Sequence, residues 1–439
     1  MNHHAFSCLV LAVAAGCAYG QSPATPSSVK TYGAHLLSEA AMNHPDILAI
    51  QMNIAPASAD GHFVVLSSRG LASGPPDPHV IEVSHTGVPF ATFDRVTHHS
   101  TVGVPLLDVV GTRLGALIVT FDAHAAHDRS KLIFTAEVIR DELRRRTIEQ
   151  SNLLDPFPCD PAFTNQTYGQ HLIDAALAQN PAVLVLGIHA QPPDGTVSVI
   201  VASSFGRIGE KDDEGDIRIV RSSQPAMAVT PDGNRFNIGL PLKDMLGKTI
   251  GLLTVAFSYK KGDDRDHLLV LATQLRDHIG LHVLDTGSLV EPYPYAARYA
   301  AHIHAQDILE EALASHLHLL GLALHVTPPG CTKNVIIAST FGRIGKESDE
   351  SDLQMIRSNK PNLAVWSAGH RFSGQVIQHD SSGHVIGSLL LIFPYKVGDD
   401  QADLLRQAES IEAELAAKTS SVQDLMVPVL PNPSSHLAF

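Results

Sequence analysis

One stretch occurs twice almost verbatim and dictates how the rest of the chain is read. Ser203-Ser204-Phe205-Gly206-Arg207-Ile208-Gly209 is followed by Asp213 and Asp216. At a distance of 136 positions, Ser339-Thr340-Phe341-Gly342-Arg343-Ile344-Gly345 is followed by Asp349 and Asp352. A worn copy lies 136 positions earlier: Ser67-Ser68-Arg69-Gly70, then Asp77. Self-similarity at a fixed period marks duplicated structural units. The chain therefore reads as three repeats, at 31–150, 166–287 and 297–420. Each has the size of an ordinary domain. The joining segments, 151–165 and 288–296, carry Asp155-Pro156-Phe157-Pro158 and Glu291-Pro292-Tyr293-Pro294. Paired prolines make such linkers extended and semi-rigid.

The flanks read differently. Residues 1–20 have the form of a signal peptide, with an apolar core from Leu9 to Ala15 and small residues at Ala18 and Gly20. Ala14-Ala15-Gly16-Cys17 offers a rival, a lipoprotein cleavage site. Residues 21–30 form a Pro/Ser/Thr-rich tether and 421–439 a Pro/Ser-rich tail. No later apolar run approaches the ~20 residues a bilayer span needs. The expected product is periplasmic or secreted, without a transmembrane segment. Removing the leader takes Cys8 and Cys17 and leaves Cys159 and Cys331, as a disulfide or as two thiols. The net charge of −14, with only 31 Lys and Arg, argues against nucleic acid and anionic membranes as partners.

Within each repeat the pattern runs helix, two strands, short helix, three strands, helix. The short helix ends before Pro225 or Pro361, which bars its continuation. Asp108-Val-Val-Gly111, Asp244-Met-Leu-Gly247 and Asp380-Ser-Ser-Gly383 have the Asp-first, Gly-fourth preference of a type I turn before the last strand. Gly115, Gly251 and Gly387 at the start of that strand permit a bulge or close packing. The expected fold is α+β: three tandem domains, each a roughly five-stranded, mainly antiparallel sheet with flanking helices covering one face. This order resembles the PAS-like group and, within it, the Cache extracellular sensor domains, with GAF domains the nearest competitor. The resemblance implies a small-molecule ligand held on the concave side of the sheet.

Repeats two and three share a polar set: His189/His325, Arg207/Arg343, Asp213/Asp349, Asp216/Asp352 and Arg221/Arg357. Repeat one has Asn53, a displaced Arg69, Asp77, Val80 and His85 instead. Arg207 and Arg343, between glycines, are placed either to grip a ligand carboxylate or to pair with Asp213 or Asp349 and pin the loop. Asp213 and Asp349 read as helix N-caps or as ligand contacts. His189 and His325 read as hydrogen-bonded core or rim residues, or as pocket lining. Lys260 and Lys396 sit in loops before the closing helix, where they could rim a pocket for an anion. His98-His99 and His124-x-x-His127 suggest adventitious rather than dedicated metal binding.

There is no Gly-x-Ser-x-Gly elbow, His-Glu-x-x-His, phosphate loop or paired-Cys motif. The reading is a non-enzymatic exported sensor-type protein without a cofactor, binding an anionic small molecule in repeats two and three. The alternatives are a module that docks onto an envelope protein and a metal-dependent hydrolase.

Overall fold

The computed structural model describes residues 30–55, 63–68, 77–122, 128–366 and 369–429. The segment read as a leader, most of the tether, Arg69, Gly70, His124, His127 and the last ten residues lie outside the described residues.

The first unit comprises α1 (Tyr32–Asn43), β1 (Ile47–Ile54), β2 (Val64–Ser67), α2 (Pro78–Thr86), β3 (Phe90–Asp94), β4 (His99–Leu107), β5 (Arg113–Asp122) and α3 (Arg129–Arg144). The second comprises α4 (Tyr168–Gln179), β6 (Val183–Ala190), β7 (Val199–Ser203), α5 (Glu214–Ser222), β8 (Ala226–Val229), β9 (Arg235–Lys243), β10 (Thr249–Ser258), α6 (Arg265–Leu281) and the short α7 (Thr286–Val290). The third comprises α8 (His304–Ser315), β11 (Gly321–Val326), β12 (Val335–Ser339), α9 (Glu350–Ser358), β13 (Asn362–Trp366), β14 (Arg371–His379), β15 (Val385–Pro394), α10 (Gln401–Lys418) and the short α11 (Val422–Leu425). Each unit forms one five-stranded antiparallel sheet, ordered β2-β1-β5-β4-β3, β7-β6-β10-β9-β8 and β12-β11-β15-β14-β13. The architecture is mixed α+β, consistent with three tandem PAS-like domains.

Strand alternation divides each sheet between two layers. Leu117, Val119 and Phe121 of β5 point to the main core with Leu36 and Leu37 of α1 and Ala136 and Ile139 of α3. Ala116 and Ile118 point the other way, onto Val80 and Val83 of α2. Helices therefore occupy both faces, not the one face expected: opening and closing helices on the first, the short helix on the second. The short helix is apolar enough on one side to bury only a narrow stripe, which leaves room beside it.

The local chemistry is as the residues dictate. In the last hairpin of the second unit, Asp244 Oδ1 accepts from the amides of Leu246 at 2.9 Å and Lys248 at 3.0 Å, and Gly247 N donates to Asp244 O at 2.8 Å. A Cβ on Gly251 would fall 2.0 Å from His189 O, so only glycine lets β10 pass β6 at the bulge beside it. Cys159 and Cys331 are not disulfide-bonded.

Candidate functional site

The Phe-Gly-Arg-Ile-Gly loop is where successive units meet. Gly206 (φ 74°) and Arg207 (φ 59°) are both left-handed, as are Gly342 (φ 86°) and Arg343 (φ 69°). The backbone so turned lies against an aromatic ring of the preceding unit: a Cβ on Gly206 would fall 2.7 Å from the Tyr32 ring, and one on Gly342 2.8 Å from Tyr168. Tyr32 donates from its hydroxyl to Ser204 O at 3.2 Å. His282 donates from Nδ1 to Thr340 O at 2.8 Å. The amides of Cys159 and Tyr295 donate to Ile208 O and Ile344 O, both at 2.8 Å.

Each arginine holds a carboxylate, and that carboxylate comes from the chain itself. Arg207 donates from Nε to Asp155 at 3.0 Å and from Nη2 to Glu149 at 3.2 Å. Arg343 makes two bonds to Glu291, at 3.0 and 3.1 Å. Asp155 and Glu291 belong to the proline linkers. Each linker straps back over the start of its own unit, through the bridges Thr31–Pro156 and Thr167–Pro292. The linkers are thus fastened on both sides.

Behind this loop the third unit encloses a cavity of about 430 Å³. Its floor is the second face of the sheet, with His325 from β11 and Gln375 from β14. Its walls are the start of α9, with Asp349 and Asp352, and the loop, with Arg343 and Lys346. Trp366 of β13 and Arg371 of β14 complete the rim, and Leu284 and Asp285 reach in from the second unit. The volume is that of an ordinary small-molecule pocket.

Most of its charges are already engaged. Asp349 and Asp352 form a reciprocal capping box on α9, the arrangement that satisfies orphan amides at a helix start. Gln375 Nε2 donates to Asp352 Oδ1 at 3.0 Å. Arg371 donates from Nη1 to Leu284 O at 3.0 Å, yet its buried Nε has no hydrogen-bond partner. The His325 ring is oriented by a chain of bonds. Ser348 donates its single hydroxyl proton to Asn334 Oδ1 at 2.6 Å, so it accepts from His325 Nδ1 at 2.9 Å. Nε2 is then the bare acceptor of a neutral imidazole, and it too has no partner. Burial holds the His325 pKa below its ordinary value against the pull of Asp352 and Asp349.

The second unit places different groups at the same positions. His189 Nδ1 lies 2.8 Å from Asp212 Oδ1 and 4.0 Å from Asp216 Oδ2. Its Nε2 meets Thr254 Oγ1 at 3.2 Å. Burial alone would lower the His189 pKa, but the Asp212 hydrogen bond and the charges of Asp212 and Asp216 raise it instead. Burial pushes the Asp216 carboxyl up to about 6. Asp213, with Asp216, forms the same capping box on α5.

Of the residues expected from sequence, the cavity brings together His325, Arg343 and Asp349. Arg357 and Lys396 do not line it. Arg357 pairs with Glu350 on the exposed side of α9, and the Lys396 amide donates to Asp399 at 2.7 Å in an exposed loop. Their counterparts Arg221 and Lys260 are exposed as well. Sequence reasoning passed over Arg371 and Trp366. A signal for Arg371 was present: Arg235-Phe236 and Arg371-Phe372 stand 136 positions apart.

No family model and no curated protein sequence matches the chain. Among solved structures, it is similar to the Agobacterium tumefaciens repressor BlcR at 15% identity, over 36% of this chain and 83% of that one, with a TM-score of 0.22. The E. coli DhaR(N)–DhaL complex matches at 14% identity over 52% and 86%, TM-score 0.20. The Stigmatella aurantiaca phytochrome photosensory core module matches at 11% identity over 80% and 83%, TM-score 0.20. Overlaps this loose carry no argument about ligand or activity.

Proposed function

We propose that this is an exported, non-enzymatic, sensor-type protein whose third unit binds a small molecule bearing a carboxylate or similar anion. The observation that carries the reading is the cavity of about 430 Å³ lined by Arg371 and His325, whose Nε and Nε2 atoms have no hydrogen-bond partner, although the Arg371 guanidinium also lies 3.8 Å from Asp285. Unpaired buried polar atoms are costly, about 1–3 kcal/mol each, and a ligand that pairs them recovers that penalty. Arg371 supplies a cationic donor and His325 an acceptor, so the fitting ligand carries an anion and a nearby hydroxyl or N–H. Trp366, about 60% exposed at the rim, offers a flat apolar contact. Arg343 supports the site by fixing the loop.

The test is a thermal-shift and calorimetric screen of the chain from Gln21 onward against small carboxylates, hydroxy acids, amino acids and purines. A ligand raises the midpoint by mass action. The reading requires a hit that Arg371→Ala weakens at least tenfold and His325→Phe weakens likewise. A screen without hits, or a hit indifferent to both changes, would favour a module that docks onto an envelope protein.

A further inference from the structure

We propose that the second unit carries a divalent-cation site built from His189, Asp212 and Asp216, separate from the cavity of the third unit and independent of its ligand. One donor atom from each residue lies within 4.8 Å of the other two. A first-row cation holds its ligand atoms at about 2.0–2.2 Å, which sets donors roughly 3–4 Å apart. The separations of 2.8 and 4.0 Å from His189 Nδ1 bracket that range.

The second observation is the second oxygen of Asp212. Its side chain is only 1% exposed, and Oδ2 has no hydrogen-bond partner. A buried carboxylate oxygen without a donor is a position that a cation satisfies. Thr254 supplies the outer support: when a cation displaces the Nδ1 proton that Asp212 accepts, Nε2–H donated to the Thr254 hydroxyl, 3.2 Å away, leaves the Nδ1 lone pair facing the two carboxylates. Asp216 Oδ2 also receives the Asp213 amide, at a long 3.4 Å, and keeps a lone pair to spare. Among the described residues no lysine or arginine pairs with Asp212 or Asp216. Lys211 and Arg218, the nearest in sequence, are exposed, and Arg207 is held by Asp155 and Glu149.

Comparison with the third unit sharpens the assignment. His325 and Asp352 keep the positions of His189 and Asp216, 3.7 Å apart. Asp212 becomes Ser348, Thr254 becomes Leu390, and Gly239 becomes Gln375, whose amide covers the Asp352 carboxylate. The two units differ at the ligand, its support and the neighbouring space together. One retains a cation site and the other has given it up for an organic ligand. One imidazole and two carboxylates suit Zn²⁺, Mn²⁺ or Co²⁺ rather than a soft ion. Three protein donors leave coordination positions for water.

The test uses the whole chain from Gln21, stripped with chelator and titrated calorimetrically with Zn²⁺, Mn²⁺ and Co²⁺. One equivalent of at least one ion binds saturably. Asp212→Asn and Asp212→Ser each weaken it at least tenfold, while their thermal midpoints in chelator stay at or above that of the parent. Absence of saturable binding for all three ions overturns the proposal. So does binding that survives both changes, since a chain with 25 histidines offers other places for a cation. Zinc-edge X-ray absorption of the parent chain is decisive even if a variant fails to fold: one imidazole among oxygen donors supports the site, and a shell of several imidazoles overturns it.

Discussion

Arg343 of the third unit holds Glu291 at the end of the second through two parallel hydrogen bonds, Nε to Oε2 at 3.0 Å and Nη2 to Oε1 at 3.1 Å. The side chains are 27% and 21% exposed, so solvent screens the pair only in part. A planar fork is what makes both bonds, and lysine cannot reproduce it. Arg343→Lys should lower stability by about 1 kcal/mol. A double-mutant cycle with Glu291→Gln should give a coupling of similar size. A coupling below a few tenths would mean that the pair does not fasten the joint.

The joint depends equally on an absent side chain. Gly342→Ala places a methyl group 2.8 Å from the Tyr168 ring at a φ of +86°. Steric and backbone penalties together should cost about 2–4 kcal/mol in chemical denaturation. Gly383→Ala is the control, because its added Cβ meets nothing within 4 Å at nearly the same φ. The difference between the two isolates the contact with tyrosine.

Glu310 of α8 predicts a loss of stability toward alkaline pH. Its Oε1 accepts from Gln306 at 2.7 Å, while the buried Oε2 has no partner. Burial raises its pKa from 4.5 to about 8. The folded protein therefore binds this proton more tightly than the unfolded chain. The contribution is fully present below pH 4.5 and fades as the pH rises through 8, by several kcal/mol in all. Glu310→Gln should flatten the fall in thermal midpoint between pH 5 and 8 and raise the midpoint at pH 8.

His282 has the opposite sign. It donates to Thr340 O across the joint, and burial lowers its pKa from 6.5 to about 3, with His278 adding to the effect. Stability from a depressed group is present above the unfolded value and is lost as the pH falls from 6.5 toward 3. The joint between the second and third units should weaken in mild acid. Protection of the Thr340 neighbourhood in hydrogen exchange, compared at pH 7 and 5 after correction for the intrinsic rate, should fall in the parent and change less in His282→Gln.

How much of this was legible beforehand varies with the range of the interaction. The order of elements along the chain, the Asp-x-x-Gly hairpins and the bulge glycines are local, and the sequence carried them; the order of strands across the sheet is not local and came from the structure. The capping role of Asp213 and Asp349 was one of two readings, and the box with Asp216 and Asp352 is what forms. The arginines were read against partners within their own repeat, Asp213 and Asp349. Their partners, Asp155, Glu149 and Glu291, lie 52 or 58 residues upstream. No periodicity reports a contact between units. The Asp212-to-Ser348 difference is written in the sequence, but only the fold sets it against His189 and His325. The opposite shifts of His189 and His325 turn on that difference.

The parts of the joint are distributed asymmetrically. Tyr32 and Tyr168 recur as His304, and the acids Asp155 and Glu291 recur as Val427, although the strap survives as the Ile303–Pro428 bridge. At the other end, Leu71 stands where Arg207 and Arg343 do. The first unit is thus all socket, the third all plug, and only the middle one is both. Tyr32 with Asp155 offers the second unit part of what Tyr168 with Glu291 offers the third, but Arg146 stands where His282 reaches Thr340. On the third unit the same two positions hold His304 and Val427, with Asp424 3.7 Å from the imidazole, so that face differs from the other two.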